Sequence, residues 1–418
     1  MENLKGVCLV GQSGGPTSAI NASVYGVISA AKKCPDIQGI FGAANGILGI
    51  LNENFYDLNQ EDDFELDLLP QTPSSILGSC RYKLKSPEVD ITDYERILEV
   101  FEKYNIRYFF YVGGNDSMDT CNKISKFLQS RQYNCRVMGV PKTVDNDLFG
   151  TDHCPGFGSA AKFVATSCME IKRDVCVYNY PTICIVEVMG RNAGWLTASA
   201  ALGNCIGQGA DLVYLPEVPF DINSFLADVK KVYENQGSCV IAVSEGVHDK
   251  DGQFISEYGA SSAASVDSFG HKQMGGVASV LVSYVKESLG IKKIRCIELS
   301  LLQRCAAHYQ SKTDITESIA AGSLAVEKAV SGETDKMVIF ERVTDEKGIY
   351  HCELAIEDLS LAANQEKMIP ATWITPEKNQ VTQDFIDYAL PLIQGECDQV
   401  YEKGLLRFAN LKKIPVAK

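Results

Sequence analysis

Eight short runs of β-branched, aliphatic or aromatic residues recur along the chain, at 7–10, 108–112, 137–140, 183–188, 212–215, 240–243, 294–299 and 337–340. Several end directly in Gly, Ser or Pro, and helix-like segments separate them. Runs this apolar belong inside a sheet covered on both faces, and their alternation with helices specifies mostly parallel strands. The expected fold is therefore α/β. Thr92-Asp93-Tyr94-Glu95 reads as a capping box, with Ile97, Leu98, Phe101 and Tyr104 following at helical spacing. Residues 221–236 and 316–330 read as further amphipathic helices. With 418 residues there is core enough for two or three domains. The stretch after about 370 shows no such pattern.

One loop stands out for chemistry. Run 136–140 predicts a buried strand, and Pro141 takes the chain out of the sheet because it has no N–H to donate. Lys142, Thr143, Asp145 and Asp147 follow: a cation, a hydroxyl and two carboxylates just past a strand's carboxyl end, where α/β folds hold ligands. Taken alone, the same residues also suit a polar turn bonding its own backbone.

Two glycine turns share the logic. Residues 7–16 run from a strand into Ser13-Gly14-Gly15-Pro16, with Thr17 or Ser18 placed to cap a helix from about Ala19. Such a turn lets backbone N–H groups approach an oxyanion, although many α/β turns carry paired glycines for geometry only. Residues 108–117 end in Gly113-Gly114-Asn115-Asp116-Ser117, where Asp116 repels phosphate unless a cation intervenes. Between the two, Arg81 in Gly-Ser-Cys-Arg (78–81) offers a guanidinium suited to bidentate phosphate contact. Neither the Gly-x-x-x-x-Gly-Lys-Ser/Thr loop nor the protein-kinase motif set occurs, so any phosphoryl chemistry uses another scaffold.

The net charge of −14 argues against nucleic acid or an anionic membrane as the main partner. Fifteen scattered cysteines without a Cys-x-x-Cys pair fit neither a disulfide framework nor a zinc site, and indicate a reducing compartment. Five histidines (153, 248, 271, 308, 351) lack metal-ligand spacing. The first residues carry no signal-type apolar region and no stretch approaches a membrane span, so a cytoplasmic location is expected.

Together, Ser-Gly-Gly-Pro (13–16), Gly-Ser-Cys-Arg (78–81), Gly-Gly-Asn-Asp-Ser (113–117), Pro-Lys-Thr-Val-Asp-Asn-Asp (141–147) and Met-Gly-Arg-Asn-Ala-Gly (189–194) resemble, in order and spacing, the phosphofructokinase family. Ser-Glu-Gly (244–246), Arg295 and Arg304 extend the resemblance to about residue 330. ATP users of that family have glycine where this chain has Asp116 and Lys142, so the chain is similar to the pyrophosphate-dependent branch. Physically, the Asp116 carboxylate would take the place and charge of a nucleotide α-phosphate, while Lys142 would strengthen the hold on a short donor.

The resemblance implies two related three-layer α/β domains with the active site in the cleft between them. Residues 1–156 with 303–370 would bind the phosphoryl donor, 157–302 the sugar phosphate, and 371–418 would form an extension packing on both. It implies reversible transfer from pyrophosphate to the 1-hydroxyl of fructose 6-phosphate with Mg²⁺, in a homodimer or homotetramer. Asp145 would be the general base, and Thr143 would bond the transferring group, with Arg81, Lys142 and Arg191 balancing its charge. Gly14, Gly15 and Gly114 would hold pyrophosphate, and Asn115 and Asp147 the metal. Met189, Gly190, Arg191 and Glu245 would hold the sugar, and Arg295, Leu301 and Arg304 would lie at its 6-phosphate.

Three departures qualify this. Asn115 stands where many relatives have an acid, Thr182 where many have an arginine serving a neighbouring subunit, and Leu301 where a His or Tyr is usual. Tyr309 or Lys312 could compensate for Leu301. An ATP-dependent enzyme, a catalytically weak binding subunit of the same fold, or the use of another sugar phosphate such as sedoheptulose 7-phosphate are the alternatives. Glu217 is read as structural.

Overall fold

The computed structural model describes residues 4–177, 179–180, 182–259, 276–362 and 365–418; His271 lies outside them. The first part of the chain contributes β1 (Gly6–Gln12), β2 (Ile37–Ala43), β3 (Phe55–Asp57), β4 (Ile106–Gly113) and β5 (Arg136–Pro141). The middle contributes β6 (Thr182–Val188), β7 (Leu212–Tyr214), β8 (Ser238–Ser244) and β9 (Ile294–Glu298). The chain then returns with β10 (Lys336–Thr344) and β11 (Tyr350–Asp358).

Two sheets result. A seven-stranded sheet has the order β11-β10-β5-β4-β1-β2-β3, parallel except at its edges, where β3 and β11 run antiparallel to their neighbours. A four-stranded, wholly parallel sheet has the order β7-β8-β6-β9. Away from the edge strands each is buried on both faces, which is why the inner strands read as unbroken apolar runs. On β4, Phe109 and Tyr111 enter one core while Tyr108, Phe110 and Val112 enter the other. On β6, Ile183 and Ile185 divide in the same way from Cys184, Val186 and Val188.

All eight sequence runs lie on strands. Among these eleven, the strands that carried no such signal are β2, whose Gly39 and Gly42 interrupt the pattern, and the edge strands β3 and β11. Partial exposure along β11 leaves room for polar residues, so it has no apolar run to detect.

Helix starts needed correction. Thr92 is the first residue of helix Thr92–Lys103 and no capping box forms; the Thr92 N–H donates to the Asp90 carboxylate at 3.2 Å instead. The first helix, Ile20–Lys32, starts without a side-chain cap on its Ala19, although the Thr17 hydroxyl accepts the Ala19 N–H at 3.1 Å. The helix expected from 316 begins four residues earlier, as Lys312–Val330, with the Ser311 hydroxyl accepting the Asp314 N–H.

Helix Ile20–Lys32 packs directly on Lys312–Val330. A Cβ on Gly26 would fall 2.1 Å from the Ile319 carbonyl, and one on Gly322 would fall 2.1 Å from that of Ser23. Two glycines thus let the helix backbones touch. Asp314 on the second helix accepts the Gly156 and Ser159 N–H groups at 2.9 and 3.0 Å, which fixes the start of helix Phe157–Val175, the crossover between the sheets.

The C-terminal stretch packs on both halves. Ile374, Val381, Phe385 and Leu392 join a core of the smaller sheet, and Leu411 joins one of the larger. None of the fifteen cysteines forms a disulfide. Among the described residues no helix is long and apolar enough to cross a membrane.

Candidate active site

The carboxyl ends of β1, β4 and β5 on the larger sheet, and of β6 and β8 on the smaller, supply almost every candidate residue. Adjacent parallel strands end side by side, so residues far apart in sequence arrive at one sheet rim.

At the end of β1, Gly14 takes φ of 74°, a conformation glycine adopts without strain. The Ser79 hydroxyl donates to the Gly14 carbonyl at 2.6 Å, tying this turn to the one that carries Arg81. Lys142, one residue beyond β5, is buried and donates from its ammonium to the Gly15 carbonyl at 2.6 Å. Burial above all, and then the neighbouring Arg304, push its pKa down to about 8 against the pull of Asp145.

Arg304 completes this group. Its guanidinium lies 3.2 Å from where a Cβ on Gly15 would stand. Gly14, Gly15, Pro16, Ser79, Cys80, Arg81 and Arg304 line a cavity of about 230 Å³. Among the described residues Arg304 forms no ion pair within 4.0 Å. A half-buried guanidinium without a carboxylate, beside a buried lysine and a glycine turn, is built to take an anion.

The loop after Lys142 folds on itself. Thr143 bridges to Gly156, and its hydroxyl accepts the Asp145 N–H at 3.1 Å. Asn146, fully buried at φ of 54°, accepts the Cys154 N–H and donates to the Tyr388 hydroxyl, each at 2.9 Å. Asp145 and Asp147, each partly buried, are thereby held within electrostatic reach of one another. Burial raises both pKa values; Glu245 adds to the effect on Asp145, and Asp145 and Glu366 to that on Asp147. Two carboxylates whose ionisation is opposed in this way suit a base working near neutral pH.

Gly114 precedes helix Asn115–Ser130. The Asn115 amide donates to the Asp147 carboxylate at 3.2 Å, while its buried amide oxygen has no hydrogen-bond partner. An orphaned oxygen beside a carboxylate suits an oxygen-loving divalent cation. Asp116, on the first turn, is half exposed and pairs with Lys83 at 3.4 Å.

From the smaller sheet, the Gly190 N–H donates to the Glu245 carboxylate at 3.3 Å, and the Met189 N–H to the Gln303 side chain at 3.2 Å. The Ser244 hydroxyl donates to the Gly190 carbonyl. Arg191 stacks over Phe254 at 5.7 Å, with one buried guanidinium nitrogen free of partners. Asp145 and Arg304 both lie within electrostatic reach of Glu245, so the rims of the two sheets meet at one site.

The structure does not bring every sequence candidate here. Arg295 lies apart, exposed on edge strand β9, with its nearest acid, Asp174, at 3.7 Å. Leu301 is 56 % exposed. Lys312 faces Asp398 at 3.5 Å, and Tyr309 packs under the Lys162 ammonium. Asn146, Ser79 and Tyr388 were not singled out in the sequence, because Asn and Ser are ordinary loop residues and Tyr388 arrives from the patternless C-terminal stretch. Glu217 is structural: its carboxylate accepts the Gly194 and Ile369 N–H groups at 2.8 and 3.2 Å. One His–Glu–Cys group, His153, Glu317 and Cys352, has ligand atoms within 4.8 Å of one another, but both His153 nitrogens already face carboxylates.

This fold, with an acid pair and a cationic glycine turn facing a second sheet, defines a sugar-phosphate kinase class, and residues 7–297 match the phosphofructokinase family model. The chain belongs to the phosphofructokinase family. It is 43 % identical over 407 residues to a pyrophosphate–fructose 6-phosphate 1-phosphotransferase of Halomonas elongata, covering 96 % of this chain and 95 % of that one. A Xanthomonas campestris relative of the same name is 42 % identical, covering 99 % and 98 %. The solved structure of a pyrophosphate-dependent phosphofructokinase from Nitrosospira multiformis superposes with a TM-score of 0.88 at 40 % identity, over 99 % of this chain and 98 % of that one.

Proposed function

We propose that this chain transfers a phosphoryl group reversibly from pyrophosphate to the 1-hydroxyl of fructose 6-phosphate, giving fructose 1,6-bisphosphate and phosphate. The observation that carries the reading is a cavity lined by Arg81, Arg304 and the Gly14–Gly15 turn, with Lys142 bonded to that turn and within electrostatic reach of Asp145. Relatives matching nearly the whole chain carry that activity in their names.

Asp145 accepts the proton of the sugar 1-hydroxyl as its oxygen attacks the terminal phosphorus of pyrophosphate. The bridging P–O bond breaks and phosphate leaves. Alignment and charge neutralisation supply most of the acceleration in such a transfer. Lys142, Arg81 and Arg191 balance the charge, Thr143 bonds the transferring group, and Gly14, Gly15 and Gly114 present backbone to the donor. Asp147 and the Asn115 amide oxygen would hold Mg²⁺, which when bound supplies positive charge to the phosphates. Met189, Gly190, Arg191 and Glu245 hold the sugar. Arg295 faces outward on its edge strand, where in a homodimer or homotetramer it can serve the sugar site of a second copy. The setting is cytoplasmic.

The test offers the purified protein Mg²⁺, fructose 6-phosphate and either pyrophosphate or ATP. Bisphosphate formation with pyrophosphate is expected. Turnover with ATP alone overturns the donor assignment, and turnover with neither supports a binding subunit.

A further inference from the structure

Two loops must be held in register for the transfer: 142–152, carrying Asp145 and Asp147, and 189–195, carrying Met189 to Arg191. The segment that joins them comes from neither sheet and lies outside the part of the chain, 7–297, that matches the family model. On one side it is stitched to the acid loop. Glu366 forms an antiparallel bridge with Leu148, the Lys367 N–H donates to the Asp147 carbonyl at 2.7 Å, and the Lys367 ammonium reaches the Thr151 and Asp152 carbonyls at 3.1 and 2.6 Å. On the other side it is stitched to the sugar loop. The Asn192 amide donates to both Glu366 carboxylate oxygens at 3.0 and 3.1 Å, and the Trp195 indole N–H donates to the Lys367 carbonyl at 2.7 Å.

The attachments differ in kind. Lys367 is structural: its ammonium packs 5.1 Å from the Trp195 ring, and losing it removes a donor from the Thr151 and Asp152 carbonyls. Glu366 is exposed; its side chain grips the residue next to Arg191, and its charge also lies within electrostatic reach of Asp147. We propose that Glu366 is a positioning residue for phosphoryl transfer, which through Asn192 fixes the sugar loop against the loop of Asp145 and Asp147. The inference rests on the assignment of those two loops to sugar and to base and metal. Its consequence is kinetic. Each substrate still binds its own loop, but the attacking oxygen and the phosphorus are less well aligned when both are present, and misplacement of about 1 Å costs on the order of 10²-fold in rate.

The experiment compares the full-length wild type with Glu366→Ala, Glu366→Gln, Asn192→Ala and the double variant Asn192→Ala/Glu366→Ala. Glu366→Ala is expected to lower kcat about tenfold, with KM for each substrate within about twofold, and to speed amide exchange in the 189–195 peptide. Glu366→Gln, whose amide oxygen can still accept from Asn192, recovers kcat and slow exchange. The double variant is no worse than either single one, because both remove the same link. Wild-type kcat and exchange in Glu366→Ala, a Glu366→Gln as slow as Glu366→Ala, or additive losses in the double variant would each overturn the proposal. A wild type inactive with pyrophosphate would instead overturn the assigned reaction, and the exchange comparison would still decide whether Glu366 holds the loop.

Discussion

The Lys142 ammonium is bonded to the Gly15 carbonyl, 2.6 Å away, and not to the acid that separates this chain from ATP-type sequences; Asp116 pairs with Lys83 instead. The two side chains proposed to select the donor would therefore act separately. Lys142 joins the turn that would hold the diphosphate, so Lys142→Met should lower kcat/KM for pyrophosphate by about 10²–10³, the loss typical of one enclosed charge-stabilising donor. Asp116 would act by exclusion. Asp116→Gly should raise ATP turnover relative to pyrophosphate about tenfold, by removing like-charge juxtaposition. Parallel assays with both donors check this, and an unchanged donor ratio would mean that Asp116 does not face the donor.

Asp145 has the surroundings of a base. Its N–H is fixed by Thr143, Lys142 is near, and burial keeps its carboxyl above the usual range. Asp145→Ser should cut kcat by about 10²–10⁴, the usual worth of a general base, with sugar binding by calorimetry nearly unchanged. Retention of most of the rate would move the base elsewhere.

How far the sequence anticipated this site follows from the kind of signal each residue leaves. The eight apolar runs exposed both sheets because burial on both faces suppresses polar alternation. The ends of those runs pointed to Gly14, Gly114 and Lys142, since parallel strands gather such residues at one rim, whereas Met189 and Glu245 came from the resemblance alone. Long-range partners left no local trace. Nothing around Arg304 in the sequence points to Gly15, and resemblance placed it at the 6-phosphate, whereas the structure has it lining the glycine-turn cavity. Asn146–Tyr388 and Asn192–Glu366 were equally invisible, because each joins a motif to the C-terminal stretch.

Arg304 can be assigned by kinetics. A guanidinium acting on the donor, as its place beside Gly15 indicates, affects pyrophosphate; one acting on the 6-phosphate affects the sugar. Arg304→Ala should raise KM for pyrophosphate and lower kcat, by about tenfold or more in kcat/KM, in line with loss of a charge-assisted contact. A rise confined to KM for fructose 6-phosphate would return it to the sugar.

The pH profile of kcat/KM for pyrophosphate should be bell-shaped. Its acid limb is the ionisation of the base Asp145, whose carboxyl burial displaces upward from the ordinary range. Its alkaline limb belongs to Lys142, whose pKa burial lowers to about 8, so the cation is present below that pH and lost above it. Bound pyrophosphate favours the ammonium, so the alkaline limb should move to higher pH in kcat, which reports the complex. Coincident limbs in the two profiles would show that Lys142 does not touch the donor.

His153 offers a test of the scaffold beneath the site. The ring is buried, with Nδ1 2.9 Å from Asp152 and Nε2 2.8 Å from Glu317, and Arg342 holds Asp152 through two contacts of 3.1 Å. Burial pushes the imidazole pKa down, but the bonds to the two carboxylates outweigh it, and the folded value lies above the usual 6.5. A raised folded pKa contributes stability that is complete below the unfolded value, near 6.5, and lost as pH rises through the folded one. His153→Gln leaves a buried carboxylate without its cation and should cost about 3 kcal/mol at pH 6, as breaking a buried ion pair does. Urea unfolding of both proteins should show that difference narrowing as pH rises above 6.5 through the folded value, because the wild-type imidazole gives up its proton there while glutamine has none to lose. A gap that stays constant across the range would mean that His153 is neutral throughout and holds Asp152 and Glu317 as a hydrogen-bonding ring alone.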